Sequence, residues 1–162
     1  MDDSLYDTVG SFEVEGTVEG TDLKAHVAIV VDELASTEAS LSTSVGEAPG
    51  YWSVSFPLVG GGILTGNDFV WDYVDPSQYA EPGTYDLTGT IETDLKTYTV
   101  TLHVTVIGIA SVDSFADITT ITGILPTAQI NSLFATLRYT DGSTETTNVW
   151  WDSVGLDKVA QP

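Results

Sequence analysis

His26 and His103 are the only imidazoles in the chain, and each sits on the polar side of an alternating stretch. A nucleophilic relay needs a hydroxyl or thiol, a base and an orienting acid within hydrogen-bond reach. Serines are abundant, yet no G-x-S-x-G elbow occurs, and cysteine is absent. Both histidines therefore read as exposed strand residues. Gly60–Gly62 lacks the lysine and following helix of a phosphate loop and reads as a flexible surface loop. The remaining chemistry-bearing groups are acids: Asp72 with Asp75, Asp2 with Asp3 and Asp7, and Asp152 with Asp157. A glycosidase needs two carboxylates facing each other about 5–10 Å apart across a cleft, and acids on the turns of a small β-domain offer none. Calcium is the one cofactor that loop carboxylates and carbonyls could hold, but no EF-hand spacing is present. The sequence thus presents no catalytic residue, no cofactor-binding residue and no metal ligand, and it reads as a non-enzyme.

One aromatic pair, Trp150-Trp151, stands out as a contact candidate. Successive strand residues face opposite ways, so Trp151 is expected in the core and Trp150 on the outside. An exposed indole can stack on a sugar ring, since it offers a broad apolar face with a polar edge. It can equally pack on a neighbouring strand or module. Trp150 is the single possible ligand contact that the sequence nominates.

The elements that position these residues are strands. Hydrophobic content is 42%, enough for a packed core, while 24 acids against 4 bases give a formal charge of -20. That charge argues against nucleic acid and against anionic membrane, which both call for a basic surface. No apolar run approaches the roughly 20 residues needed to insert across a bilayer. Absence of cysteine does not assign a compartment, because disulfides outside cells are permitted but not required. Met1, followed by an acidic stretch and no basic n-region, reads as an expression start.

Phe12, Val14, Gly16 and Val18 alternate with polar residues, EGTD at 19–22 supplies a turn, and Leu23, Ala25, Val27, Ile29 and Val31 resume the apolar face. Residues 11–31 are accordingly a hairpin. From Asp32 to Gly50 the Ser/Thr/Ala-rich texture suggests short edge strands, with Pro49 where no ladder donor is needed. A helix over Leu34–Leu41 suits the propensities, but its apolar positions are too sparse. Trp52, Val54, Phe56 and Leu58 continue the alternation, followed after the glycine loop by Phe69, Trp71 and Tyr73. The clearest hairpin places Tyr85, Leu87, Gly89 and Ile91 inward, turns at Thr93–Asp94, and returns with Tyr98, Val100, Leu102, Val104 and Val106 inward. A further strand is expected over Val112–Ile118, a turn at Gly123 and Pro126, and strands over Phe134–Tyr139 and Thr144–Trp151 about the hairpin signal Asp141-Gly142.

The chain repeats itself. Trp151-Asp152-Ser153-Val154 copies Trp71-Asp72-Tyr73-Val74 at a spacing of 80, and Ala160-Gln161-Pro162 falls on Ala80-Glu81-Pro82. Ser4, Tyr6, Gly10, Phe12, Val14, Gly16, Thr17 and Val18 fall on Ser77, Tyr79, Gly83, Tyr85, Leu87, Gly89, Thr90 and Ile91 at a spacing of 73. A one-residue slip would swap the faces of the returning strand. Alternation predicts that the spacing stays at 73, setting Ala25 on Tyr98 and Val27 on Val100, with the turn absorbing the difference.

These copies carry a resemblance. Val45-Gly46, Pro49, Val70-Trp71-Asp72, Asp75, Tyr79, Pro82-Gly83-Thr84-Tyr85, Gly89-Thr90 and Val104–Val106 resemble the bacterial Ig-like domain family, group 4. Gly123, Leu125-Pro126, Tyr139, Asp141-Gly142-Ser143, Val149 and Trp151-Asp152 carry it again in the last copy. The middle copy departs at Gly60–Asp68, where GGGILTGND replaces a short DG hairpin. The resemblance implies an all-β fold, an Ig-like antiparallel β-sandwich of seven strands, in tandem modules. Residues 1–31 would be the closing hairpin of one module, 32–107 a complete module, and 108–162 the opening two-thirds of another. It further implies an extracellular setting, secreted or attached to the cell surface, and neighbouring Ig-like modules as partners. The implied role is a non-catalytic spacer, presentation or adhesion module, or an accessory carbohydrate-binding module of a secreted glycoside hydrolase with a glycan as partner. Strands of about 9 residues at about 3.3 Å make the central module roughly 30 Å long. That length sets its poles apart, so strand exchange with a second copy is the expected way for the 1–31 hairpin to complete the last module.

Overall fold

A computed structural model describes residues 8–94, 96–113 and 115–151. The chain is all-β, built from antiparallel sheets, and it divides into two compact units, 1–106 and 107–162. The parts of the repeat carried by Ser4, Tyr6 and 152–162 lie outside the described residues, as do the acids Asp2, Asp3, Asp7, Asp152 and Asp157.

The first unit opens with the expected hairpin, β1 (Gly10–Thr17) and β2 (Lys24–Val31). Its register pairs Phe12 with Ile29, Val14 with Val27, and Gly16 with Ala25. The corresponding pairs of the central hairpin, β7 (Gly83–Glu92) and β8 (Thr97–Ile107), are Tyr85 with Val104, Leu87 with Leu102, and Gly89 with Val100. Ala25 therefore stands at the place of Val100, not of Tyr98, which corrects the uniform spacing expected for the returning strand. The reason lies in the turns. The first closes at Val18 and Leu23, whereas the central hairpin runs on to Thr93 and Lys96. The offset between the two loops is an even number of residues, so every side chain keeps its face.

The core of the unit belongs to residues 32–106. Strand β3 (Glu38–Ser44) forms the edge of a four-stranded sheet ordered β3-β8-β7-β6, in which β6 is Val70–Trp71. A hairpin of β4 (Ser55–Pro57) and β5 (Ile63–Thr65) makes the second layer. Phe56 from that hairpin, Val54 before it and Phe69 after it are buried with Leu87, Val100, Leu102 and Val104 of the facing sheet. Six strands and a Leu34–Leu58 bridge stand where the resemblance implies seven strands. Alternation in β7 and β8 explains the layer: their odd and even rows respectively send Val, Leu and Gly inward and Thr, Asp and His outward.

Three expectations change here. Trp52 leaves the apolar face, because Tyr51–Ser53 winds into a single 3₁₀ turn that breaks the period of two, and its side chain is 56% exposed. Tyr51 instead stacks on Trp71, ring centroids 5.7 Å apart. Tyr73 is also exposed, since β6 ends at Trp71 and its last ladder contact is Asp72 N–H to the Thr88 carbonyl. The segment around Gly60–Gly62 is a closed hairpin turn. Leu58 and Gly61 N–H groups donate to the carbonyls of Gly62 and Leu58, and Gly60 N–H donates to the Asp32 carboxylate at 2.8 Å. Pro49 is buried beyond the end of β3, where it interrupts no ladder.

The Tyr85 hydroxyl is buried without a hydrogen-bond partner among the described residues, and burial pushes its phenol up from the ordinary value. An unpaired buried hydroxyl costs about 1–3 kcal/mol. Tyr85→Phe is therefore expected to raise the stability of the first unit by about 1 kcal/mol in urea titration. A loss of similar size would mean that the hydroxyl is satisfied.

The second unit is a three-stranded sheet ordered β11-β10-β9, from β9 (Ile109–Val112), β10 (Phe134–Tyr139) and β11 (Thr144–Asn148). The Asp141-Gly142 hairpin forms as expected: Gly142 takes φ of 85°, and Asp141 accepts from the Ser143 N–H and hydroxyl at 2.9 and 2.7 Å. The strand expected at Val112–Ile118 lies earlier, at Ile109–Val112. Beyond Val112 one more bond follows, Asp113 N–H to the Thr136 carbonyl at 3.0 Å, while the Asp113 carboxylate takes the Arg138 guanidinium at 2.7 and 3.0 Å, next to a bulge between Arg138 and Tyr139. Between them, the turn at Gly123 and Pro126 leads into one helical turn, Thr127–Ile130.

Candidate functional site

The tryptophan end of the second unit is the candidate interaction site. Strand β11 stops at Asn148, so Val149 to Trp151 are not in a ladder, and the strand argument that placed the two indoles on opposite faces does not apply there. Trp150 projects outward, 96% exposed, as expected. Trp151 does not reach a core: it is 40% exposed, and its ring meets Phe115 edge-on at 5.2 Å. Only Ala135 is a buried hydrophobic among the described residues of this unit. Ile109, Val112, Ile121, Ile124 and Phe134 are exposed alongside the indoles.

Trp71, the counterpart of Trp151 in the sequence repeat, is seated in a core. Its indole N–H donates to the Gly66 carbonyl at 2.7 Å. Its ring contacts those of Tyr51, Phe56 and Phe69. It lies so close over Gly89 that a Cβ there would stand 2.8 Å from the ring. Glycine at 89 is thus the floor on which the tryptophan rests. The Trp-to-Gly relation spans two strands and is invisible in any local window, although both residues recur in the repeats.

Polar groups elsewhere pair across the strands. His103 Nδ1 lies 2.7 Å from Asp86 Oδ1, in register on β8 and β7. His26 Nδ1 lies 3.0 Å from Glu13, and Lys24 Nζ lies 2.9 Å from Glu15. The histidines are exposed, as expected, but each has a carboxylate neighbour that sequence spacing did not show. No serine or threonine hydroxyl hydrogen-bonds either ring among the described residues. Asp75 caps the 3₁₀ turn at Pro76–Tyr79, accepting from Ser77 N–H at 2.9 Å, and this bond holds its carboxyl below the usual range. Asp72, its partner in the sequence pattern, makes no shared site with it: no group of three or more His, Asp or Glu converges among the described residues.

In the second unit the Arg138 guanidinium holds the Asp113 carboxyl below the usual carboxylate range, chiefly by hydrogen bonding. The Tyr139 hydroxyl donates to Glu145 at 2.5 Å, which raises the phenol. These pairs are exposed and fix local geometry on one sheet. Trp150 and Phe134 offer exposed aromatic surface for contact. No family model matches the sequence, and no curated protein matches it.

Proposed function

We propose that the chain is a non-catalytic Ig-like spacer, presentation or adhesion segment of an extracellular bacterial multidomain protein, in which such modules follow one another. The observation that carries this reading is the repeated Trp and Gly framework of a β-sandwich. It recurs at spacings of 80 and 73, while the titratable side chains between the repeats pair across exposed strands. A repeat of this kind conserves what closes a module, and a module that only spaces or displays needs nothing more.

An accessory carbohydrate-binding role is the second reading, favoured by one observation, the 96% exposure of Trp150. Retention on immobilised cellulose, xylan, chitin and pectin separates the two. The spacer reading predicts elution with the void volume on every matrix and no release of reducing sugar. Retention that Trp150→Ala abolishes would replace it by the carbohydrate reading.

A further inference from the structure

We propose that the Trp150–Trp151 segment of one chain adds as a strand to the free edge of β1 in a second copy, seating the Trp151 ring on Gly16. The central module supplies the template. There, Val70 and Trp71 pair with Thr90 and Gly89, and the indole of Trp71 occupies the space that a side chain at 89 would need. The repeats put Gly16-Thr17 in the place of Gly89-Thr90 and Trp150-Trp151 in the place of Val70-Trp71.

Each half of this contact is present and unfilled. A Cβ on Gly16 would meet nothing within 4 Å, where one on Gly89 meets the tryptophan ring at 2.8 Å. The outer edge of β1 pairs with no strand among the described residues, so its N–H and C=O groups are open to strand addition. On the other side Trp151 remains 40% exposed and its segment is in no ladder. The face of the hairpin that carries Gly16 also carries Phe12, Val14, Val27 and Ile29, none of them buried. Their counterparts by register, Tyr85, Leu87, Leu102 and Val104, line the core of the central module.

Every copy carries one acceptor edge and one tryptophan segment, so two copies can exchange them reciprocally and close a two-fold dimer. The hairpin contributes two strands of 8 residues, and the second unit contributes strands of 4, 6 and 5. A reciprocal pair engages both sets on each side, about 30 residues a side, the size of a stable interface. The charge of -20 on each copy opposes association. Dimerisation is therefore expected to tighten as salt screens that repulsion.

The chain has no cysteine, so paired substitutions report the contact directly. Thr17→Cys and Trp150→Cys chains, mixed and oxidised, place thiols at the positions of the Thr90–Val70 pair. Facing strand residues lie about 4.5–5.5 Å apart, within disulfide reach. A covalent dimer is expected to form about tenfold faster than from Glu13→Cys with Trp150→Cys. Gly16→Val is expected to abolish association while leaving the melting of the first unit unchanged at dilutions where both chains are monomeric. Equal oxidation rates would overturn the proposal. A single-chain mass in sedimentation up to millimolar concentration would overturn it as well. So would an intramolecular disulfide in the Thr17→Cys/Trp150→Cys double variant at high dilution.

Discussion

Gly66→Ala is expected to destabilise the first unit by about 3 kcal/mol, moving its urea midpoint down by roughly 1–2 M. A Cβ at this position would stand 1.8 Å from the Tyr51 carbonyl oxygen and 3.0 Å from the Trp52 Cα. Backbone, unlike the tip of a side chain, cannot swing aside. The chain would have to separate the 3₁₀ turn at Tyr51–Ser53 from the one at Gly66–Asp68, which Gly66 N–H now ties to the Val54 carbonyl at 2.9 Å. The Gly66 carbonyl also accepts the Trp71 indole N–H, so the displacement would loosen the main aromatic contact of the core. Gly83→Ala is the control, because a Cβ there meets nothing within 4 Å. Equal midpoints for the two variants would refute the close approach.

Phe56→Ala is expected to cost about 3–5 kcal/mol, against a total of roughly 5–15 kcal/mol for a typical domain. Phe56 is 0% exposed and touches the rings of Phe69 at 4.9 Å and Trp71 at 6.3 Å. It is the main side chain that β4 sends into the space between the two layers, and its loss leaves a cavity that the short β4–β5 hairpin is poorly placed to fill. Trp52→Ala, by contrast, removes a larger side chain from the surface and is expected to change stability by less than about 1 kcal/mol. Comparing the two by urea titration tests the architecture. A strand running unbroken from Trp52 to Leu58 would make them similarly damaging, whereas the 3₁₀ turn makes them differ several-fold.

The hairpins were legible because their information is local. In β7 and β8, in β1 and β2, and about Asp141-Gly142, a period of two is joined to a turn whose residues tolerate the required backbone angles. The misplaced elements have the opposite character. Val112–Ile118 alternates well enough for a strand, but only Val112 belongs to β9, and the last bond to β10 is Asp113 N–H to Thr136, with the Asp113 carboxylate held by an arginine 25 residues away. Trp52 alternates with Val54 and Phe56 yet turns outward, because the chain must wind tightly to bring Tyr51 against Gly66 and Trp71. The glycine-rich stretch at 60–62 looks unstructured until Asp32, 28 residues earlier, is seen to hold Gly60.

The candidate site divides in the same way. The exposure of Trp150 was expected from its place in the repeat, although β11 ends before it, and the recurrence of Gly16, Gly89, Trp71 and Trp151 was visible as letters at fixed spacings. Alone, the sequence determined an all-β chain of repeated hairpins with an acidic surface, because alternation, turn chemistry and net charge are properties of neighbours and sums. Which tryptophan has a glycine beneath it was decided only in three dimensions. Trp71 is seated on Gly89 and bonded to Gly66, while Trp151 has Phe115 on one side and solvent on the other. Packing depends on which surfaces the folded chain brings together, and identical letters in two copies need not find the same neighbours.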